Sequence, residues 1–178
     1  MFYKKLKILF LYLRYSIFYK HLFFKLTYKF KKKRNNLSKF QIEKVIHDNF
    51  KVFYTNEFIE KFLKTKFFKF SDLNKKEYDN AHKISKQTNI KMGGGANIDL
   101  LYLLIKKLKY VNIIETGVAY GWSSLSILSA LNDIQNSKLI SIDMPYPDFS
   151  TRKHIGCVVP NYLRKNWQLI NMSDRSAL

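Results

Sequence analysis

The chain has 178 residues, 47% of them hydrophobic, and 32 Lys and Arg against 13 Asp and Glu, for a net charge of +19. That length allows one domain with extensions around a core, and the single cysteine, Cys157, excludes an internal disulfide framework. The charge is unevenly placed: residues 1–39 hold 12 basic residues and no acid, while residues 40–178 hold 20 basic and 13 acidic.

Residues 1–36 read as a basic, aromatic N-terminal helix or extension. The apolar stretch Ile8–Leu13 has only six residues, where a spanning helix needs about 20 and the apolar part of a signal peptide about 7–15. Arg14, Lys20, Lys25 and Lys29 interrupt the chain beyond Leu13, and no small-residue cleavage site stands out. With the lone cysteine, these features point to a cytoplasmic protein. It would sit peripherally at the inner face of the membrane if residues 1–34 lie on an anionic lipid surface. Two other readings stand beside that one. The charge can meet nucleic acid, the least favoured partner. AT-rich codons also enrich Lys, Asn, Phe, Ile and Tyr with no partner at all.

Asn35-Asn36-Leu37-Ser38 marks the junction into a helical region over 37–90. Phe40, Val45, Ile46, Phe50, Phe53, Tyr54, Phe58, Ile59, Phe62 and Leu63 recur at helical spacing. This predicts helices over about 38–50 and 55–69, with the aromatic stripe as core or partner packing. A further helix is predicted over 72–86 with Ser71 as its N-cap. Gly93-Gly94-Gly95 reads as a left-handed-tolerant turn, serving as a hinge, a lid or a plain loop. Asn97 caps a strong helix after it, over 98–108.

The C-terminal part, 91–178, carries the chemistry. Asn112-Ile113-Ile114-Glu115 is an apolar run ending on an acid, followed by Thr116-Gly117-Val118-Ala119-Tyr120-Gly121 and then a helix start at Trp122-Ser123-Ser124. That is the first strand–loop–helix of a Rossmann-like fold, where a nucleoside cofactor is held. The next predicted strand, 138–142, leads into Asp143, 22 positions past Gly121. That is close to the roughly 20 expected for an acid that accepts from ribose hydroxyls. A dinucleotide loop needs a middle glycine for its pyrophosphate, and here Val118, Ala119 and Tyr120 fill that stretch. S-adenosylmethionine, which has no phosphate, suits the loop better. A dinucleotide and a purely structural glycine turn remain as alternatives.

Four pieces in order resemble the class I S-adenosylmethionine-dependent methyltransferases, in the bacterial branch similar to catechol-type O-methyltransferases. They are Met92-Gly93-Gly94-Gly95-Ala96, Glu115 through Gly121, Ser141-Ile142-Asp143-Met144-Pro145, and Trp167-Gln168-Leu169-Ile170 through Ser173-Asp174-Arg175. The resemblance implies that Gly117 and Gly121 shape the loop beneath the cofactor. Glu115 would help position the methionine amino end, Asp143 would accept from the ribose, and Asp174 would sit near the adenine amino group. Ala119 and Met144 complete the implied cofactor-binding set. Each acid also has a plainer role: Glu115 as a strand-end charge, Asp143 as a turn acid, Asp174 as the cap of a helix beginning at Arg175.

Only three strands are predicted, over 111–116, 138–142 and 167–171, in the order 3-2-1 with the first strand at an edge. Members of the family carry more strands. The expectation is therefore an α/β, Rossmann-like methyltransferase half-domain of about three parallel strands, truncated after the third strand and of little activity alone. Its bare edge is a site for self-association. Its implied reaction is O-methyl transfer to a small molecule or glycan, with no catalytic residue identified. Two alternatives from other classes are an interaction protein at a membrane surface built on a methyltransferase remnant, and a nucleotide-dependent oxidoreductase. His21, His47, His82 and His154 stand at no metal-ligand spacing and read as surface or satisfied residues. Arg152, Lys153 and Arg164 are candidates to meet an acidic substrate.

Overall fold

The computed structural model describes residues 51–177 apart from 89, 147 and 148, together with positions 6, 10, 14, 19, 23, 27 and 44. Those isolated positions are helical. The rest of the predicted N-terminal helix and of the helix over 38–50 lies outside the described residues, as do Pro147 and Asp148.

The described elements are α1 (Thr55–Phe62), α2 (Phe70–Leu73), α3 (Lys75–Gln87), α4 (Ile98–Leu108), β1 (Asn112–Thr116), α5 (Trp122–Leu131), β2 (Lys138–Asp143), α6 (Phe149–Arg152), a 3-10 helix (Asn161–Asn166), β3 (Trp167–Asn171) and α7 (Asp174–Ala177). The three strands form one sheet in the order β1-β2-β3, all parallel. The fold is α/β and Rossmann-like, with β1 at an edge as the sequence predicts. Register sets Ile113 against Leu139, Glu115 against Ser141, and Ser141 against Leu169. Each such row shares one face of the sheet, because side chains alternate along a strand.

That face packs on α5. From Ser124 to Leu131 every residue of α5 is buried, which identifies it as a helix enclosed on all sides rather than amphipathic. Leu125, Leu128 and Leu131 join Leu139, Val158, Leu163, Ile105 and Phe70 in the main core. Ser126 lies fully buried within this apolar helix, and its hydroxyl donates to the Ile98 carbonyl at 2.6 Å, tying α5 to the start of α4. The opposite face of the sheet is barer: Ile114 is 60% exposed.

The helical region departs from prediction in two places. The helix over 55–69 ends at Phe62, because Lys64 takes a left-handed φ of +48°, and the chain then turns Phe67 into a small cluster with Ile59, Leu63 and Leu103. The helix predicted over 72–86 is two helices broken at Asn74, and Ser71 lies inside the first of them rather than capping. The cap arrives from far along the chain: the Phe70 N–H donates to Asp99 Oδ1 at 2.7 Å. Asn97 does cap α4, its Oδ1 accepting from the Leu100 N–H at 3.1 Å.

Candidate functional site

The loop 115–121 stands at the C-terminal ends of β1 and β2, the crevice where open parallel sheets bind ligands. Its path is made by left-handed backbone at Gly117 (φ +81°), Ala119 (φ +50°) and Gly121 (φ +91°). The Gly117 N–H donates to the Ile142 carbonyl at 2.8 Å, continuing the β1–β2 ladder into the loop. A Cβ placed on Gly117 would meet nothing within 4 Å. The space above it is open.

Asp143 organises this loop from the next strand. Its Oδ2 accepts from the Val118 N–H at 3.2 Å and the Ala119 N–H at 3.0 Å, and the residue is 9% exposed. Both bonds fall on one oxygen, so Oδ1 carries no hydrogen bond to a described residue. Charge-assisted bonds of this kind are worth roughly twice neutral ones. Beside it, the Tyr146 phenol is pushed above its ordinary range, first by burial and then by the Asp143 carboxylate. Sequence reasoning missed Tyr146; its place two residues beyond the strand-end Asp143 and Met144 was the available signal.

Glu115 has a different environment. Its Oε1 accepts from Ser123 Oγ at 2.5 Å, and its Oε2 accepts from Ser124 Oγ and Ser141 Oγ, both at 2.6 Å. Ser141 Oγ in turn accepts from Trp167 Nε1 at 2.8 Å. One buried carboxylate therefore ties β1, β2, β3 and the first turn of α5 together through hydroxyl donors. Of the other predicted residues, Met144 is half-buried directly after β2 and Asp174 is exposed. The final helix starts at Asp174 itself, with the Ala177 N–H donating to the Ser173 carbonyl. Ser173 therefore holds the N-cap position expected of Asp174. The structure thus gathers Glu115, Gly117, Ala119, Gly121 and Asp143 into one strand-end crevice.

The segment after β2 packs backbone to backbone on the loop. The Gly156 N–H donates to the Ala119 carbonyl at 2.9 Å and the Val158 N–H to the Tyr120 carbonyl at 3.1 Å. Arg164, a sequence candidate for substrate contact, is committed to this segment. Its Nη2 donates to the Gly156 carbonyl at 2.6 Å, its Nε to the Val159 carbonyl at 3.1 Å, and its guanidinium lies 5.1 Å from the Trp167 ring centroid. Arg152 Nε likewise donates to the Tyr146 carbonyl at 2.7 Å.

On the N-terminal side, Tyr120 OH donates to the carbonyls of Ile90 and Thr88, pinning the stretch of chain that leads into the three glycines. None of Gly93, Gly94 and Gly95 takes a left-handed φ, and the segment runs as a plain loop into α4, one of the readings its sequence offers. Gly95 is needed for space instead: a Cβ there would come within 2.7 Å of Trp122 Cβ. Between this segment and α3 lies an open cleft of about 280 Å³, lined by Tyr78, His82, Ser85, Gly95, Ile98 and Trp122. His82 Nε2 is 3.1 Å from Tyr78 OH, and the His82 and Trp122 rings lie 5.1 Å apart edge to face. His82, expected as a surface or satisfied residue, is half-buried on the wall of a cleft.

No family model matches the chain, and no curated protein matches it. Among solved structures it is similar to a "putative O-methyltransferase from Klebsiella pneumoniae", at 12% identity and a TM-score of 0.42, over 76% of this chain and 50% of that one. The chain thus spans half the length of that structure. A likeness this distant carries no functional argument, and the fold rests on the chain's own parallel sheet. No helix of the described residues is long and apolar enough to cross a membrane.

Proposed function

We propose that the crevice formed by the loop 115–121 and Asp143 binds S-adenosylmethionine, and that this chain supplies the cofactor-holding half of a class I methyltransferase site of the catechol-type branch. The observation that carries the reading is Asp143 at the end of β2. One carboxylate oxygen is spent on the glycine loop and the other has no described partner, beside open space over Gly117. An ionised carboxylate accepts only, and suits paired hydroxyl donors. Val118 and Ala119 stand where a pyrophosphate would need glycine, which disfavours a dinucleotide.

The residues fit such a group. Asp143 would hold the ribose hydroxyls, Gly117 would leave room above the loop, and Ala119, Gly121 and Met144 would border the site. Asp174 is the residue assigned to the adenine. Glu115 would act by fixing the β1–α5 junction through its three serines, on which the loop geometry depends. Bound there, S-adenosylmethionine supplies a sulfonium methyl for transfer to an acceptor oxygen. The cleft beside Trp122 is the place we assign to that acceptor. At about 280 Å³ it lies just below the roughly 300–1,000 Å³ usual for ligand pockets, a size for a small molecule or one sugar unit. Positioning would supply much of the rate, and slow turnover by this chain alone is the expectation.

Calorimetric titration of folded residues 1–178 with S-adenosylmethionine, with NAD as control, tests the reading. Asp143→Asn keeps an acceptor for the loop amides and removes the charge, while Asp143→Ala removes both. Loss of a charged hydrogen bond costs about 1.5–3 kcal/mol, so the Asn variant should bind about 10- to 100-fold more weakly. Absence of heat with folded wild-type protein would sink the proposal; heat with NAD alone would favour the oxidoreductase.

A further inference from the structure

Residues 51–69 show a surface that neither the sheet nor the crevice uses. Helix α1 spends its buried side on α4, where Ile59 and Leu63 pack against Leu103. The chain entering the helix and the end of the helix expose large apolar side chains: Val52 is 67% exposed, Tyr54 78% and Phe62 50%. Phe62 belongs to an aromatic cluster. The Phe53 and Phe62 rings meet edge to face at 5.1 Å, and Phe58 and Phe62 lie 5.1 Å apart. Lysines are threaded through them. Lys51 Nζ stands 5.3 Å from the Phe53 centroid, and Lys61 Nζ stands 5.7 Å from Phe53 and 5.9 Å from Phe62.

The local charge is one-sided. Residues 51–69 hold five Lys, all exposed, against Glu57 and Glu60. Glu57 is occupied, accepting from the Tyr54 N–H at 3.2 Å, and Lys51 and Lys61 have no ion-pair partner among the described residues. The bias extends over the whole N-terminal part. Residues 1–69 carry 18 Lys and Arg against 4 acids, while residues 70–178 carry 14 against 9. The described helical positions before residue 50 repeat the same mixture: Phe10 and Phe23 are mostly exposed, and so is Arg14.

We infer that the face formed by Val52, Phe53, Tyr54, Phe62, Lys51 and Lys61 docks on a bilayer surface rich in anionic phospholipid. A lysine-rich surface with protruding apolar side chains is the pattern of interfacial attachment: cations meet phosphate headgroups while the apolar groups enter the headgroup–acyl boundary. Nucleic acid would use the charge, but half or more of its hydrogen bonds go to phosphate and sugar, contacts that leave the exposed Val52 unused. The five lysines carry attraction to an anionic surface, and the exposed apolar cluster carries insertion.

Flotation of full-length protein with vesicles tests this, using phosphatidylcholine alone and phosphatidylcholine mixed with phosphatidylglycerol. Binding is expected only to the anionic vesicles, and weaker at high salt. Each surface lysine contributes about fivefold, so Lys51→Gln with Lys61→Gln should weaken partitioning about 30-fold. Val52→Ser with Phe62→Ser should weaken it comparably, and because these side chains are exposed the variants should remain folded by circular dichroism. Lys106→Gln, on α4 and paired with Asp133 at 2.6 Å, is the charge control and should change little. No flotation with anionic vesicles overturns the inference. So does equal loss in Lys106→Gln, no effect of the Val52 and Phe62 changes, or tighter binding of a short RNA or DNA duplex by the same residues.

Discussion

The molecule contains two glycine-rich segments, and they use glycine for opposite reasons. In 115–121 the glycines take a path that L-residues adopt at a cost, and Gly121 also brings two backbones together: a Cβ on it would lie 2.8 Å from Gly156 Cα. In 93–95 three consecutive glycines adopt no left-handed angle, and Gly94 has nothing within 4 Å of where a side chain would begin. The denser glycine cluster is the less demanding one. A glycine motif is informative where its backbone is held by partners, as 115–121 is held by Asp143 and by the segment 156–158, and not in proportion to its glycine count.

The strongest way to break that comparison is alanine at the held positions. Gly121→Ala combines left-handed strain of about 1–2 kcal/mol with overpacking of about 1–3 kcal/mol. Gly156→Ala does the same, since its Cβ would enter the Trp167 ring. Either should destabilise by about 3 kcal/mol in urea unfolding, and a loss below about 1 kcal/mol would contradict the packing described. Next comes Glu115→Gln, which turns an acceptor facing three serine donors into a mixed amide. It should cost about 1–3 kcal/mol, read by thermal denaturation at neutral pH. In the second segment, Gly95→Ala should cost about 1–2 kcal/mol because α5 must shift away from it. Gly94→Ala should be neutral or stabilise by about 0.4–1 kcal/mol by restricting the unfolded chain. Equal losses at Gly94 and Gly121 would erase the distinction.

The smallest effect concerns pH. Tyr162 OH donates to Glu77 Oε1 at 2.6 Å, linking the 3-10 helix to α3. Partial withdrawal from water, and then the Glu77 carboxylate, raise this phenol from 10.0 to about 12. A raised value means the folded state holds the proton more tightly, so this contribution is full below about pH 10 and is lost as pH rises toward about 12. Tyr162 is half-exposed and its contact is screened, so Tyr162→Phe should flatten the alkaline slope of stability only slightly. A slope unchanged in that window would show that the tie contributes nothing.

How much was legible depends on the range of the interactions. The three strands, α4 and its Asn97 cap were readable because apolar runs and caps are local signals. The break at Asn74 was not, since α2 is capped by Asp99 across 29 residues. Glu115 was recognisable as a strand-end acid, and two of its partners, Ser123 and Ser124, stand just past the loop. Its third, Ser141, becomes a neighbour only through the β1–β2 register. The clamp made by Arg164 was invisible for the same reason: its partners are backbone carbonyls, which every residue has.

The sequence by itself determined the α/β class, the position of the loop and the acid after the second strand, because strand–loop–helix order and local polarity are properties of neighbours in the chain. Tertiary structure decided which oxygen of Asp143 is spent, which glycines are obligatory, and that Tyr78, His82 and Trp122 share a cleft. Those depend on distances between segments far apart in sequence, set when the sheet and α5 close on one core.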